Sequence, residues 1–178
     1  FRDELVPEEK IRQLLEAARF APTAANSQGM YYLVIQDRDL IKKITDCVAD
    51  WMQEQIDNKS PQKRYFIKVL HVYRERGIDI IGRNARQLIF VLARRLNVTG
   101  PSNSEQSLAY AELYAPTLGL GTTIMGFIAT CLRADYAPLR ELLQIPTKQV
   151  GVGCLLVGYP RYRYHKLVDR QHLKVEFR

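Results

Sequence analysis

Residues 107–128 read SLAYAELYAPTLGLGTTIMGFI. The first half of this stretch predicts a mostly apolar helix, and such a helix normally lies in a core with neighbouring elements packed against it. Pro116 lacks a backbone donor, so the regular helix should kink or end there. Gly119 and Gly121 then predict a turn, which a short strand over residues 122–125 follows. The rest of the chain should therefore be arranged around this helix, turn and strand.

The glycines of this stretch, Gly119, Gly121 and Gly126, allow two interpretations. Glycine has no Cβ and lets a ligand approach the main chain closely. Gly119 can equally be a helix C-cap and the others ordinary turn residues, which is the commoner case for such glycines taken alone. The choice between a ligand site and a plain turn depends on a second stretch upstream.

The composition is that of one globular domain. The 178 residues, 47% hydrophobic and 25% charged, suffice for one core and are few for two. No apolar run approaches the roughly 18 residues of a membrane span, and the N-terminus is unlike a signal peptide. We therefore expect a single domain over residues 1–178 that is cytoplasmic and has no membrane partner. The three cysteines are too widely spaced for a disulfide framework or a metal motif.

The positive charge is concentrated at the C-terminal end. The chain carries a net charge of +7, and six of its Lys and Arg residues lie within residues 161–178 beside only Asp169 and Glu176. A basic chain can bind nucleic acid, but no nucleic-acid reading motif is present, so we expect no such partner. A phosphate-bearing cofactor would need one or two of these cations, and the others should be solvated.

Periodicity and turn residues predict helices and strands in mixed order. Helices are expected from Pro7 to a stop at Pro22 and over about 39–56, 65–76, 104–118 and 135–143; strands are expected over about 31–35, 87–93, 122–125 and 149–159. Ser104 and Asp135 are the expected N-caps of the last two helices. Because helices and strands do not alternate regularly, the order favours an α+β layer fold over a doubly wound sheet.

The 18 residues after Pro160 predict an extended arm. Leu173, Val175 and Phe177 alternate as in a strand, and a lone extended strand rarely stabilises itself. We therefore expect residues 161–178 to pair with a second subunit.

A second informative stretch is APTAANSQ, residues 21–28. Its small side chains expose backbone groups, and the amides of Asn26 and Gln28 both donate and accept hydrogen bonds. This suits a planar ring rich in heteroatoms, such as a flavin pyrimidine, and equally an ordinary polar turn. Serine-hydrolase, zinc-protease, Walker and dinucleotide motifs are missing from the sequence, so the chemistry of an enzyme here would belong to a cofactor.

Four motifs, in the order of the family, resemble the nitroreductase family of FMN enzymes. They are APTAANSQ at residues 21–28, ELYAPTLGLGT at 112–122, MGF at 125–127 and VGYPRYRYHKLVDR at 157–170. The resemblance covers nearly the whole chain and is closest to the branch in which this domain follows a ferredoxin-like 4Fe–4S domain. It implies a central, mostly antiparallel sheet flanked by helices, and a homodimer that exchanges its C-terminal arms around sites between the subunits.

The resemblance also implies individual roles. The positions that match flavin-contacting ones are Pro22, Thr23, Ala24, Asn26 and Gln28. Met125 and Gly126 match a pair whose backbone lies against the flavin ring, and Arg170 matches a basic residue on the FMN phosphate. A guanidinium suits that phosphate role.

The sequence departs from the family pattern in three places. The basic phosphate-binding segment usual before the residue aligned with Phe1 is not in this sequence, nor are iron–sulfur cysteines. Gly29 and Met30 replace the more usual Pro and aromatic residue. The resemblance implies an FMN oxidoreductase that passes electrons from NAD(P)H or an iron–sulfur donor to a nitroaromatic, quinone or similar acceptor by ping-pong. The alternative is a flavin-binding or redox-partner protein of the same fold without turnover.

Overall fold

The strands form one antiparallel sheet in the computed structural model, which describes residues 1–163, 165–166 and 168–178. The strands are β1 (Met30–Ile35), β2 (Leu88–Arg94), β3 (Gly121–Ile124) and β4 (Gln149–Gly158). They lie in the order β1-β2-β4-β3, and each neighbouring pair is antiparallel. This confirms the predicted α+β class and antiparallel sheet.

Helices cover both faces of the sheet. They are α1 (Glu8–Ala18), α2 (Arg38–Asp57), α3 (Lys63–Leu70), α4 (Gly100–Tyr114), α5 (Gly126–Arg133) and α6 (Ala137–Leu142). One hydrophobic cluster joins one face of β2 and β4 to α2, α3, α5 and α6, and a second joins the other face to α1 and α4. None of the described helices combines the length and apolar character needed to cross a membrane.

Two glycines of β4 let the helices lie directly on the strand. A Cβ built on Gly151 would lie 2.2 Å from Leu132 Cγ of α5, and one on Gly153 would lie 2.7 Å from Leu108 Cδ1 of α4. Both distances are far below van der Waals contact. The core therefore depends on the absence of a side chain at these two positions.

Two predicted helix N-caps are wrong. α4 begins at Gly100 with Pro101 in its first turn, so Ser104 lies inside the helix and its hydroxyl donates to Gly100 O at 2.8 Å. Asp135 has a φ of 54° and does not cap α6, which follows Tyr136. The Asp135 carboxylate instead accepts from Arg95 at 2.9 Å and Arg140 at 2.6 Å. These guanidiniums, Arg95 first, lower the pKa of Asp135.

The third predicted helix changes type before it ends. α3 stops at Leu70, and the wider π-helical turn His71–Glu75 continues it. Gly77, with a φ of 63°, ends this region as predicted.

α4 differs from the prediction, and the predicted pairing of the C-terminal segment with a second subunit is not tested in one chain. α4 was expected to be apolar on most faces, but its buried side carries Asn103, Ser104 and Ser107, whereas Leu113 is 79% exposed. The C-terminal segment 173–177 forms no strand, and its apolar side chains are exposed.

Candidate functional site

A cavity of about 360 Å³ opens where β3 meets α5. Its lining residues are Gln62, Tyr65, Phe66, Ile80, Ile81, Arg83, Ile124, Met125, Gly126, Phe127 and Thr130. Tyr65 and Phe127 form an aromatic wall, with ring centroids 5.7 Å apart and planes at 38°. The cavity thus offers apolar, aromatic surface with a few polar groups, which is typical of sites for planar organic molecules.

The main chain at Gly126 is the polar feature of this cavity. Met125 N donates to Cys154 O at 2.9 Å, which fixes the strand end, and the Met125 side chain is 2% exposed in the core. Gly126 is the first residue of α5, and its N–H has no acceptor within residues 1–163, 165–166 and 168–178. A Cβ built on Gly126 would meet nothing within 4 Å. A ligand can therefore approach this backbone amide closely.

Arg83 brings a positive charge to the same cavity, and the sequence analysis missed it. Arg83 and Asn84 have φ values of 54° and 52°, a left-handed conformation that non-glycine residues rarely adopt. The Asp79 carboxylate holds this loop by accepting from Gly82 N at 2.6 Å and Asn84 N at 2.9 Å. No sequence motif indicates this conformation. It places a guanidinium among the lining residues of the cavity.

The predicted segment 22–28 lies elsewhere, as an exposed turn after α1. Ala25, Asn26 and Gln28 have φ values of 51°, 51° and 50°. Gln28 N donates to Thr23 Oγ1, and Gln28 Nε2 donates to Asn26 Oδ1, both at 3.1 Å. Backbone strain of this kind costs on the order of 1 kcal/mol per residue and is concentrated at functional sites.

Asn103 of α4 anchors this turn and was also missed. Its side chain is buried, and its Oδ1 accepts from Ala24 N at 3.0 Å while its Nδ2 donates to Ser27 Oγ at 3.2 Å. No sequence signal indicated this role, because Asn103 lies just before the predicted helix and the residues that it bonds are 79 and 76 positions away. The helix thus fixes the shape of the turn.

One chain does not bring the predicted site residues together. Met125 and Gly126 line the cavity, and no residue of 22–28 does. Pro22 and Ala24 are exposed, Thr23 is half-buried, and Arg170 lies exposed in the irregular C-terminal arm. The predicted residues thus form three separate groups: the turn, the cavity and the arm.

The profile of the nitroreductase family matches residues 1–159. The chain belongs to the nitroreductase family.

Relatives of this chain agree with that assignment. An FMN reductase [NAD(P)H] of Bacillus subtilis strain 168 is 26% identical over 166 residues, which is 93% of this chain and 63% of the relative. This chain thus spans less than two thirds of that relative's length. An Archaeoglobus fulgidus protein, provisionally named an NADH dehydrogenase/NAD(P)H nitroreductase, is 35% identical, with 90% of this chain and 78% of the relative covered.

The fold is also that of solved nitroreductases. A nitroreductase with bound FMN from Desulfitobacterium hafniense DCB-2 matches with a TM-score of 0.72 and 17% identity, over 99% of this chain and 91% of that chain.

The ionisable side chains of this chain offer little chemistry of their own. Burial raises the pKa of Cys47 to about 11 and raises that of Cys131 and Cys154 further, so these thiols are protonated at neutral pH. The described residues contain no cluster of His, Cys, Asp and Glu that could hold a metal ion. The arrangement of cavity, free amide and guanidinium can bind and orient a planar cofactor, which agrees with the expectation that a cofactor does the chemistry.

Proposed function

We propose that this chain is the FMN-binding subunit of a homodimeric oxidoreductase. It takes electrons from NAD(P)H or an iron–sulfur donor and passes them to a nitroaromatic, quinone or similar acceptor by ping-pong transfer. The observation that carries this proposal is the unbonded Gly126 amide beside the aromatic cavity. FMN, when bound, supplies reversible two-electron transfer at a ring nitrogen that can accept one hydrogen bond from such an amide.

The residues of this chain fit FMN. The cavity offers Tyr65 and Phe127 for stacking beside a planar ring, the Gly126 amide as a donor, and the Arg83 guanidinium as a positive charge. Named relatives support the cofactor and the donor, since one is an FMN reductase [NAD(P)H] and a nitroreductase of the same fold contains FMN. Pro22, Thr23, Ala24, Asn26 and Gln28 would contact the ring, and Arg170 the phosphate.

A second copy of this chain would complete the site. The turn at 22–28 and the cavity do not meet within one chain, and α4 exposes Tyr110, Leu113 and Tyr114 along one side. Exposed aromatic and aliphatic side chains of this kind are enriched in the cores of interfaces between subunits. The basic arm, residues 161–178, would wrap the partner and place Arg170 near the phosphate.

The Gly126 amide provides a direct test of FMN binding. Gly126→Ala and Gly126→Pro both add carbon in the same open space, but only proline removes the N–H; proline is tolerated at the first position of a helix. We expect Gly126→Pro to weaken FMN binding or slow flavin reduction at least about tenfold beyond the effect of alanine, because it loses a donor aimed at the developing charge. Flavin fluorescence measures FMN binding, and stopped-flow experiments with NADH and NADPH measure the rate of flavin reduction. Equal behaviour of the two variants would contradict the assigned role of the amide.

Turnover separates this function from the alternative, a flavin-binding or redox-partner protein. An enzyme oxidises NAD(P)H in an acceptor-dependent way, whereas the alternative binds FMN without such turnover.

Membership of the ferredoxin-linked branch and the cytoplasmic location also stay predictions. Reduction of the flavin by a ferredoxin tests the first, and fractionation of cells that express the protein tests the second.

A further inference from the structure

A basic groove with an apolar floor lies at one end of the sheet. It has a volume of about 840 Å³ and is lined by Tyr31, Arg94, Arg95, Leu96, Pro146, Thr147, Lys148 and Gln149. Three of these residues are cations and none is an acid. The groove is formed by the end of β2 and the start of β4, where Arg95 N donates to Lys148 O at 2.9 Å and holds the two basic side chains on adjacent chain segments.

The charge of this groove is only partly neutralised. Arg95 Nη1 bonds Asp135 Oδ2 at 2.9 Å, and Arg140 shares that carboxylate. Arg94 and Lys148 are exposed and form no ion pair within the described part of the chain. The groove therefore carries an excess of positive charge that attracts acidic surfaces.

Apolar side chains project beside these cations. Leu96 is 95% exposed and Val98 is 93% exposed, in the short connection between β2 and α4. Other large aliphatic residues of β2, such as Ile89 and Val91, are fully buried. Exposed apolar side chains within a charged rim are typical of transient protein interfaces, whereas nucleotides bind in enclosed clefts.

The groove lies next to the turn at 22–28. β1 begins at Met30, two residues after Gln28, and Met30 pairs with Ala93 beside Arg94. Arg94 also pairs with Gln149, another residue of the groove. A protein bound in the groove would thus sit against the segment that we propose contacts the flavin.

We propose that this groove, with Leu96 and Val98, docks a small acidic electron-donor protein. This rests on the proposed function, because the partner's role is to reduce a flavin at the adjacent turn. Arg94 and Lys148 steer the acidic surface, and Leu96 and Val98 provide the short-range apolar contact. Each donor passes one electron from its reduced centre to the flavin and leaves oxidised. A second reduced donor supplies the second electron, and water supplies the protons.

The test uses an acidic bacterial [4Fe–4S] ferredoxin as the probe and two charge-reversal variants of the full chain. Arg94→Glu with Lys148→Glu alters the groove. The control, Lys43→Glu with Lys68→Glu, changes the net charge equally at exposed positions of α2 and α3. Binding of oxidised ferredoxin is measured by calorimetry with and without FMN, and flavin reduction by reduced ferredoxin and by NAD(P)H is followed by stopped flow at low and high salt.

We expect the groove variant to weaken ferredoxin binding and slow ferredoxin-dependent reduction about tenfold or more at low salt. In the groove variant, the rate of reduction by NAD(P)H should stay within about twofold of that of the unaltered protein. The control variant should behave like the unaltered protein. Leu96→Ser should slow ferredoxin-dependent reduction at high salt as well as at low salt. The proposal would be overturned if both double variants lost the same amount of ferredoxin-dependent reduction. It would also be overturned if the groove variant lost the rate of reduction by NAD(P)H in parallel, or if it dissociated a dimer. If the protein binds ferredoxin in a groove-dependent way but does not bind added FMN, the docking site would be supported and the proposed function refuted.

Discussion

β4 and the C-terminal arm follow one another in the chain and differ completely in burial. β4 lies inside the sheet with helices on both faces, and its residues from Gly151 to Gly158 are buried. In the arm, Leu173 and Phe177 are about nine-tenths exposed, at 88% and 92%. β4 contains no charged residue, whereas residues 161–178 hold six Lys and Arg residues with Asp169 and Glu176, which agrees with the difference in burial. β4 finds its packing partners within one chain, whereas the apolar side chains of the arm are exposed there.

The turn at 22–28 lies between these extremes. It is exposed like the arm, yet Asn103 ties it to the packed body of the protein. The effect of a mutation on folding should therefore decrease from β4, through this turn, to the arm.

The largest effect on folding is expected in β4. Gly151→Ala puts a Cβ within 2.5 Å of three side-chain atoms of Leu132, which is itself buried. Overpacking of a core costs about 1–3 kcal/mol and occasionally more, so we expect a loss near the upper end of that range. Urea unfolding followed by circular dichroism, at one protein concentration, measures it.

Two companion variants define the cause. Gly29→Ala adds a Cβ that meets Ser27 O at an ordinary 3.5 Å and should change the stability by less than about 1 kcal/mol. Combining Gly151→Ala with Leu132→Ala should cost less than the sum of the two single changes, because the second makes room for the first. Additive costs would show that the contact with Leu132 is not responsible.

A smaller effect is expected at Asn103. Asn103→Ala removes an acceptor for Ala24 N and a donor to Ser27, and loss of buried hydrogen bonds of this kind costs about 1–2 kcal/mol. The freed turn should relax from its left-handed conformations. The free energy of FMN binding should therefore fall by more than the free energy of unfolding does. Urea unfolding and flavin fluorescence measure the two quantities on the same preparation.

The neighbour Ser102 provides the control for this variant. It is exposed, and its hydroxyl donates only to Thr99 O at 3.0 Å, so Ser102→Ala should leave both quantities nearly unchanged. Unaltered FMN affinity in Asn103→Ala would show that the anchored shape of the turn does not matter for binding.

Several elements could be predicted from the sequence. Helical periodicity predicted α1 and α2 to within a few residues, and a continuous apolar run predicted β4, because their apolar side chains pack within the chain. The MGF motif indicated Met125 and Gly126 as flavin contacts, and both line the cavity. Short-range patterns were sufficient for these elements.

The sequence failed where distant or external contacts decide. Asn103 bonds a backbone 79 residues away, and Arg83 reaches the cavity through a left-handed loop held by Asp79. Ser104 and Asp135 are of residue types that commonly cap helix N-termini. Ser104 nevertheless lies within its helix, and Asp135 pairs with two arginines. The strand predicted at 173–177 was expected to pair with a second subunit, so its absence from one chain leaves that prediction untested.

The smallest effect on the folding of the subunit itself is expected in the arm. Leu173→Ser with Phe177→Ser removes two side chains that touch little in a single chain, so the urea midpoint measured at high dilution should not change. If the arm wraps a second subunit, the same variant weakens the dimer and abolishes the dependence of Tm on protein concentration. Lys174→Ser with Glu176→Ser, which changes the opposite side of the same extended segment, is the matched control and should retain the dimer. A lower urea midpoint at high dilution would mean that the arm packs on its own chain, and the contrast with β4 would then be one of degree.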